Sequence, residues 1–241
     1  MSKRVPWLSF DGNVADCLER CLEKDSHRIW GFIIFRCTYG DDAAWARHIE
    51  TLREEARCSL DYYNAPDIFT RLEITVVEDR EALEGASTAV VRVYFSEWVK
   101  GGVVEWEQGM PDAGMSPRYR FCIRVRDVGD AASADGQGQE DDEEDNDDNG
   151  DEDIEEDKDE EDEEDEENEE GSVDLIWKDW EPSVPDPRQR PEPPVEGSTR
   201  PGVGWMRVSD STVMVTMYEL LYHDPDMWYI AYRRPPEVVV C

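Results

Sequence analysis

The spacing of hydrophobic residues changes several times along the N-terminal part of the chain, and each change predicts an element. Residues 29–39 form an apolar run rich in β-formers, which is typical of a strand. In residues 42–63 the apolar positions recur every three or four residues, so this segment is predicted to be a long amphipathic helix that Asp41 or Asp42 caps. The same spacing within residues 9–26 predicts an earlier helix.

The next segments continue an alternation of strands and helices. Residues 71–78 and 119–126 alternate apolar and polar side chains, which predicts two more strands. Residues 87–100 combine β-branched residues with a helical spacing, and a serine before them and two glycines after them favour a helix. Residues 101–117 contain several Gly, Pro and Met residues that interrupt any regular pattern, so they are predicted to be a loop.

The C-terminal part of the chain predicts further strands. Residues 173–180 favour one short strand. Residues 204–208 and 212–218 flank a polar Ser-Asp-Ser turn and predict a β-hairpin, and residues 227–232 predict a last strand. Seven prolines in residues 182–201 indicate a stiff, polyproline-like connector.

These elements together predict an α+β fold. We expect a single α/β-plait-like (ferredoxin-like) domain with a mixed or antiparallel sheet and helices on one face. The chain is expected to begin with an N-terminal amphipathic helix (1–27) and a core half (28–130). A disordered acidic insertion (131–171) follows, and C-terminal strands (172–241), with the connector at 182–201, then complete the same domain.

The first predicted strand is apolar on both faces at its start, which is typical of a central strand that is covered on both sides. Trp30, Phe32 and Ile34 form its second face. We expect C-terminal aromatic residues to cover this face, either Trp205 or the segment 228–232. The alternative is that Trp30, Phe32 and Ile34 line an apolar pocket or a homodimer interface.

The negative charge of the chain is concentrated in one stretch. The formal net charge is −35, and 25 of the 31 residues in 140–170 are Asp or Glu. Such a low-complexity tract buries too little apolar surface to fold, so it is predicted to be disordered. This acidity disfavours direct nucleic-acid binding, whereas basic proteins are partners that 140–170 would attract. The alternative is a solvated insertion in a tolerant loop.

Four arginines stand out on the polar faces of two predicted strands, namely Arg36, Arg120, Arg124 and Arg126. One interpretation is a solvated strand face, because charged residues usually occupy the solvent-exposed face of a strand. The other is an anion-docking surface onto which the tethered acidic tract folds back, since tethering raises the effective concentration of the tract.

No catalytic, cofactor-binding or metal-ligating residue is predicted. The three histidines and six cysteines lack the paired spacings of zinc sites, and hydrolase and phosphate-loop motifs do not occur. Cys17 and Cys21 belong to an apolar helix stripe and Cys37 ends an apolar strand, so reduced thiols in a core are expected. With no signal-peptide or membrane-span pattern, the protein is expected to be intracellular, in the cytoplasm or nucleus, without a membrane partner.

The segment Trp30–Trp45, which reads WGFIIFRCTYGDDAAW, resembles a family of uncharacterised intracellular proteins from filamentous fungi. The similarity continues at residues 76–79, 85–88, 119–123, 203–206 and 228–236. It spans nearly the whole chain except the acidic tract, which looks like an elaboration of a shorter loop. The resemblance implies a shared fold and a fungal origin, and it carries over no catalytic residue.

The function that these features favour is a non-catalytic binding or interaction module with a disordered acidic tract. A first alternative is a small-molecule-binding or catalytic protein of the dimeric α/β-barrel kind, with its pocket over the apolar sheet face. A second alternative is a chaperone that binds basic proteins such as histones through residues 140–170. No cofactor is expected in any of the three.

Overall fold

The core of the protein is one mixed β-sheet. The computed structural model describes residues 4, 13–128, 171–182, 188, 190–224 and 226–240. In chain order, the strands of these residues are β1 (Ile33–Arg36), β2 (Thr75–Val77), β3 (Phe121–Val125), β4 (Ser172–Trp177), β5 (Trp205–Ser209) and β6 (Val238–Val239). They lie in the order β2-β1-β3-β4-β5-β6, and β4 is antiparallel to both of its neighbours while the other pairs are parallel.

Helices of very different length connect the strands. The α-helices are α1 (Val14–Lys24), α2 (Asp42–Tyr62), α3 (Pro66–Phe69), α4 (Arg80–Leu83), α5 (Thr88–Trp98), α6 (Val104–Gln108), α7 (Asp210–Thr212), α8 (Tyr218–His223) and α9 (Met227–Ala231). Two π-helical turns, Val99–Val103 and Val213–Met217, join α5 to α6 and α7 to α8. A 3-10 turn, Pro117–Tyr119, leads into β3.

Side-chain caps define the starts of the long helices, as the sequence predicts. The carboxylate of Asp41 accepts hydrogen bonds from the amides of Ala43 and Ala44 at the start of α2. The hydroxyl of Ser87 accepts a hydrogen bond from an amide in the first turn of α5. Each cap satisfies backbone donors that have no partner within the helix.

One face of the sheet is covered by α1, α2 and the C-terminal helices. Ile34, Ile123, Leu175 and Met206 lie next to one another across four strands and are all fully buried in this layer. The apolar stripes of α1 and α2 pack into the same cluster. This layer therefore contains the larger of the two apolar cores.

The opposite face of the sheet is covered by α4 and α5. Ile33 and Phe35 of β1 point to this side together with Cys122 and Trp205, and Phe95 of α5 packs against them. All residues of β1 are buried. A strand that is covered on both faces reads as a continuous apolar run, which explains the sequence of β1.

The structure confirms an α+β fold with a mixed sheet and corrects the predicted layering. Helices lie on both faces of the sheet, not on one face. The ferredoxin-like plait is not confirmed, because β2, β1 and β3 are neighbours and run parallel to one another. The reason is local: α2 and α5 leave the sheet on opposite sides, so each face of β1 receives its own helix layer.

Three predicted elements were wrong in type. The predicted loop at residues 101–117 contains α6, and the predicted strands at 212–218 and 227–232 are helical. Val213, Met214, Val215 and Met217 are at most 1 % exposed. Because four of the five residues in Val213–Met217 are buried, the pattern of this short segment does not distinguish a helix from a strand.

The first predicted strand is shorter than its sequence indicates. Only Ile33–Arg36 pair as a strand, and Trp30 forms an isolated bridge with Leu72. Between them Gly31 has a φ of 110°, which is a conformation that breaks a regular strand. The chain bends at Gly31 and then enters the sheet.

The predicted insertion at 131–171 lies outside the described residues apart from Gly171, as do parts of the connector at 182–201. The described residues belong to one compact unit, in which residues 172–240 add β4, β5 and β6 to the sheet. Within the described ranges, no helix is long and apolar enough to cross a membrane.

Candidate functional site

An open groove of about 810 Å³ lies between the end of α5, α6 and the segments that precede β1 and β2. We call it the α5–α6 groove. Apolar surface predominates in its lining. Its lining residues are Ile29, Glu73, Thr75, Trp98, Gly101, Gly102, Val103, Trp106 and Glu107.

The floor of the groove contains a buried ion pair between Glu107 of α6 and Arg118 of the 3-10 turn. The Oε1 and Oε2 atoms of Glu107 accept hydrogen bonds from Nη2 and Nε of Arg118, each at 2.7 Å. The Arg118 side chain is 0 % exposed and that of Glu107 is 4 % exposed. This bidentate geometry is the strongest form of a carboxylate–guanidinium pair.

The remaining donors of Arg118 tie the pair to the sheet. Its Nη1 donates to the carbonyls of Gly31 and Glu73 at 3.0 and 2.8 Å, and its Nη2 also donates to the hydroxyl of Thr75 at 2.7 Å. With the two bonds to Glu107, all five N–H groups of the guanidinium are used. Arg118 therefore holds α6, β2 and the start of β1 in fixed relative positions.

Tyr119 and Gln108 extend this network behind the groove. The Tyr119 hydroxyl donates to Oε2 of Glu107 at 2.8 Å and accepts from Nε2 of Gln108 at 2.6 Å. Burial raises the pKa of Tyr119 well above its usual range, and the bond to Glu107 adds to this effect. Gln108 in turn accepts from the amide of Arg28 at 2.6 Å. The floor is thus fully hydrogen-bonded and pre-formed.

Two tryptophans of different character form the apolar part of the groove. Trp98 is stacked between Phe95 and Tyr119, with ring centroids 6.1 and 6.5 Å apart. Trp106 of α6 is 82 % exposed. The π-helical turn between them contains Gly102 at a φ of 83°, which places a kink between α5 and α6. One indole is therefore fixed and the other is free to contact a ligand.

The structure brings together two of the four arginines predicted as an anion-docking surface. Arg124 donates to Oδ2 of Asp174 from Nε and Nη2 at 3.0 and 2.7 Å, and Nε of Arg126 lies 3.4 Å from the same oxygen. Arg36 instead forms ion pairs with Asp42 and Glu78.

Arg120, the fourth predicted arginine, lies apart from the other three. Its Nη1 donates to the carbonyls of Met115 and Leu221 at 3.4 and 3.3 Å, and its guanidinium lies over the ring of Phe121. Leu221 belongs to the helix layer on one face of the sheet. The Arg124 guanidinium lies over the ring of Trp205, which belongs to the core on the opposite face. The four arginines therefore do not share one face.

Trp30, Phe32 and Ile34 are fully buried and do not line the groove. The ring of Tyr218 covers Trp30 and Phe32, with centroids 5.4 and 4.9 Å away. The C-terminal part of the chain thus covers this face, although through Tyr218 and not through the predicted residues.

The two predicted covering segments lie elsewhere. Trp228 packs on Phe121 of the same face, with ring centroids 5.5 Å apart. Trp205 belongs to the apolar core on the opposite face of the sheet. Tyr218 takes the predicted position because residues 210–223 are helical, which brings its ring over the start of β1.

The histidines and cysteines do not form a metal or nucleophile site among the described residues. No group of three His, Cys, Asp or Glu side chains is arranged to hold a metal ion in this part of the chain. Cys17 and Cys37 are buried, as expected, whereas Cys21 is only partly buried; Cys122 is also buried. Burial raises the pKa of Cys37 to about 11, so the thiol holds its proton at neutral pH.

Trp106, Glu107 and Arg118 are absent from the predicted site residues, because Trp106 and Glu107 lie in a predicted loop and Arg118 lies between that loop and the next predicted strand. A local signal for α6 does exist. Val104 and Gln108 are four residues apart, both are buried, and Gly109 follows in the left-handed conformation that commonly ends a helix. The ion pair itself has no sequence signature, since its partners are eleven residues apart on different elements.

No family model matches this chain, and comparison with curated proteins and with solved structures also finds no match. Membership of the fungal family therefore stays a prediction. The function has to be inferred from the geometry of the chain itself, and the α5–α6 groove is the feature with the most specific geometry.

Proposed function

We propose that this protein is a non-catalytic binding module whose α5–α6 groove takes up an arginine-bearing basic segment of another protein. The observation that carries the proposal is the indole of Trp106, which is 82 % exposed beside an apolar groove. Exposed tryptophans at grooves are typical of protein-binding surfaces, where they contribute a large share of the affinity.

The charge of the lining selects the class of ligand. Glu73 and Glu107 line the groove, and none of its lining residues is basic. The Glu73 side chain is solvent-exposed, whereas Glu107 is already paired with Arg118. A cationic group that enters the groove is therefore attracted by Glu73 and meets no repulsion from the lining.

Arginine fits this lining better than other cations do. A guanidinium stacks on an indole face, and such a contact contributes about 0.5–1 kcal/mol at exposed sites and about 2 kcal/mol when desolvated. The aliphatic stem of the arginine has Ile29 and Val103 to pack against. The groove thus offers separate surfaces for the charged head and for the apolar stem.

The polar groups of the floor support binding more than catalysis. All N–H groups of Arg118 are engaged, and the Glu107 carboxylate accepts bonds from Arg118 and from Tyr119. A general acid or base must exchange a proton with a ligand, and these groups are committed to each other. Their role in this proposal is to keep the groove rigid, which lowers the entropic cost of binding.

The acidic tract has a supporting role in this proposal. Residues 140–170 carry 25 acidic side chains, which attract basic partners over distances set by the ionic strength. The groove then supplies contacts that salt does not screen. The chaperone alternative differs in one respect, since it assigns all of the binding to the tract.

The dimeric α/β-barrel alternative receives less support. It needs a pocket over Trp30, Phe32 and Ile34, and these side chains are 0 % exposed beneath Tyr218 and its neighbours. The plait on which that alternative depends also requires helices on one face of the sheet, whereas both faces carry helices.

The proposal is tested by titrating the full-length protein with a peptide of alternating arginine and glycine. The matched control peptide carries citrulline, which has the shape of arginine without its charge. We expect saturable binding of the arginine peptide by calorimetry that persists when NaCl is raised from about 0.15 M to about 1 M, where the screening length falls to about 3 Å. Equal binding of both peptides, or complete loss of binding in high salt, would contradict the proposal.

A further inference from the structure

A second cleft, of about 400 Å³, lies on the sheet where β3 ends and β4 begins. Its lining residues are Arg124, Arg126, Asp127, Ser172, Asp174 and Arg207. We call it the arginine cleft. β3 and β5 run parallel to each other, so their carboxyl ends lie at the same edge of the sheet. The cleft lies at this edge, where open α/β sheets commonly bind ligands.

The sheet register places the charged side chains of the cleft side by side. Arg124 of β3 is paired with Asp174 of β4, and Asp174 is paired with Arg207 of β5. Arg126 follows Arg124 by two residues and so points to the same side of the sheet. Three guanidinium groups thus surround a single buried carboxylate.

The first of these guanidinium groups is saturated. Arg124 donates to Asp174 with Nε and Nη2, and its Nη1 donates to Oε1 of Glu196 and to the carbonyl of Ala86 at 2.7 and 2.9 Å. Its side chain is 4 % exposed and that of Asp174 is 2 % exposed. Arg124 and Asp174 therefore neutralise each other and form the base of the cleft.

The other two guanidinium groups retain donors that face the cleft. Nη2 of Arg207 donates to the hydroxyl of Ser172 at 2.6 Å. The Arg126 side chain is half exposed and lies 3.4 Å from Oδ2 of Asp174 through Nε. Because each guanidinium has five N–H groups, most of the donors of both arginines are not used by these contacts. Asp127, the remaining acid of the lining, is exposed to solvent.

We propose that the arginine cleft is a binding site for a small oxyanion, a phosphate or a carboxylate, that Arg126, Arg207 and the Ser172 hydroxyl hold. The planar guanidinium group of arginine matches the geometry of phosphate and carboxylate oxygens and binds either group through paired hydrogen bonds. The oxyanion has two sources. One is a phosphate-bearing ligand from solution, and the other is the chain's own acidic stretch, which lies between Asp127 and Ser172 in the sequence.

The test uses inorganic phosphate as the probe and the amide resonances of the full-length protein as the readout. We expect saturable shifts at Arg126, Asp127 and Ser172, and about a tenfold or greater loss of phosphate affinity in Arg126→Gln and in Arg207→Gln. The matched control is Arg80→Gln, which removes an arginine whose side chain is 65 % exposed on α4 and leaves the affinity unchanged.

A second arm distinguishes the two sources of the oxyanion. In it the acids of 140–170 are replaced by Asn and Gln in the full-length chain. Both chains are titrated in about 1 M NaCl, where long-range repulsion of phosphate by the acids is screened. Tighter phosphate binding in this chain than in the native one under these conditions identifies the acidic stretch as the natural occupant, and binding that is no tighter identifies an external anion. The absence of saturable shifts in both chains, or shifts that the Arg126 and Arg207 variants do not alter, would overturn the proposal.

Discussion

The guanidinium of Arg118 forms a bidentate ion pair with the carboxylate of Glu107 beneath the α5–α6 groove, at 2.7 Å for both bonds. The same guanidinium also donates to two backbone carbonyls and one hydroxyl of the sheet edge. Burial lowers the pKa of Arg118, and its hydrogen bonds to Glu107 more than offset this effect, so the pKa is raised overall. The arginine therefore stays charged and fixes the shape of the groove.

Replacing Arg118 with Met is expected to lower the free energy of unfolding by about 3–5 kcal/mol, because it leaves the buried Glu107 carboxylate without a partner. Urea denaturation measures this loss. The control Arg80→Met removes a solvent-exposed ion pair with Glu84 and should leave the denaturation midpoint unchanged. If the two variants are equally stable, the pair does not organise the site.

Gly31 is expected to tolerate no side chain. Its φ is 110°, and a Cβ atom at this position would lie 2.7 Å from the carbonyl oxygen of Glu73. Gly31→Ala should therefore lower the free energy of unfolding by about 1–3 kcal/mol through backbone strain, with the steric contact adding to this loss. The matched control is Gly40→Ala, where a Cβ meets no atom within 4 Å. Equal stability of the two alanine variants would contradict the geometry at Gly31.

Tyr218 is expected to contribute more through its ring than through its hydroxyl. The ring packs on Trp30 and Phe32, and the hydroxyl lies 3.1 Å from Oγ of Ser116. Tyr218→Ala should lower the free energy of unfolding by about 3–5 kcal/mol, and Tyr218→Phe by about 1 kcal/mol. Thermal or urea unfolding checks both values. A small loss for the alanine variant would mean that this face of β1 is covered by something else.

The stability of the protein is expected to fall at alkaline pH because of Cys37. Burial raises the pKa of this thiol from its ordinary value of 9.0 to about 11. The unfolded chain therefore releases the proton before the folded chain does. The stabilisation is fully present below about pH 9 and is lost as the pH rises to about 11, with a slope of up to about 1.4 kcal/mol per pH unit.

The Cys37→Ala variant isolates this effect from other alkaline titrations. Its unfolding free energy should decrease less steeply between about pH 9 and about pH 11 than that of the native chain, because one shifted thiol is missing. Urea denaturation at several pH values gives both slopes. Parallel curves for the two proteins would show that Cys37 is not buried in the way described.

Elements with a clear period were predictable from the sequence. The spacing in α1 and α2 is helical, and the caps at Asp41 and Ser87 are those that the sequence indicates. β4 also lies where its apolar run predicts it. In α1 and α2 one face is buried and the other is exposed to solvent, so the local pattern carries the information.

The groove was not predictable because it depends on contacts between distant segments. Thr75 and Arg118 meet only after β2 and the 3-10 turn are positioned by the sheet, and neither residue has a partner nearby in sequence. The helical form of Val213–Met217 is another tertiary effect, since four of its five residues are buried and the periodic signal is weak. The predicted arginine surface failed to form as one patch for a related reason. Arg36 found its partners on α2 and after β2.

The most direct test of the account is the effect of Trp106→Ala on binding of the arginine–glycine peptide by the full-length protein in about 1 M NaCl, where the attraction of the acidic tract is screened. Tyr62→Ala on α2, which removes another aromatic side chain that is 64 % exposed, is the matched control. We predict that Trp106→Ala keeps its native stability and loses affinity by about tenfold or more, whereas Tyr62→Ala binds as the native chain does. Equal affinities for all three proteins would contradict the assignment of the α5–α6 groove as the binding site.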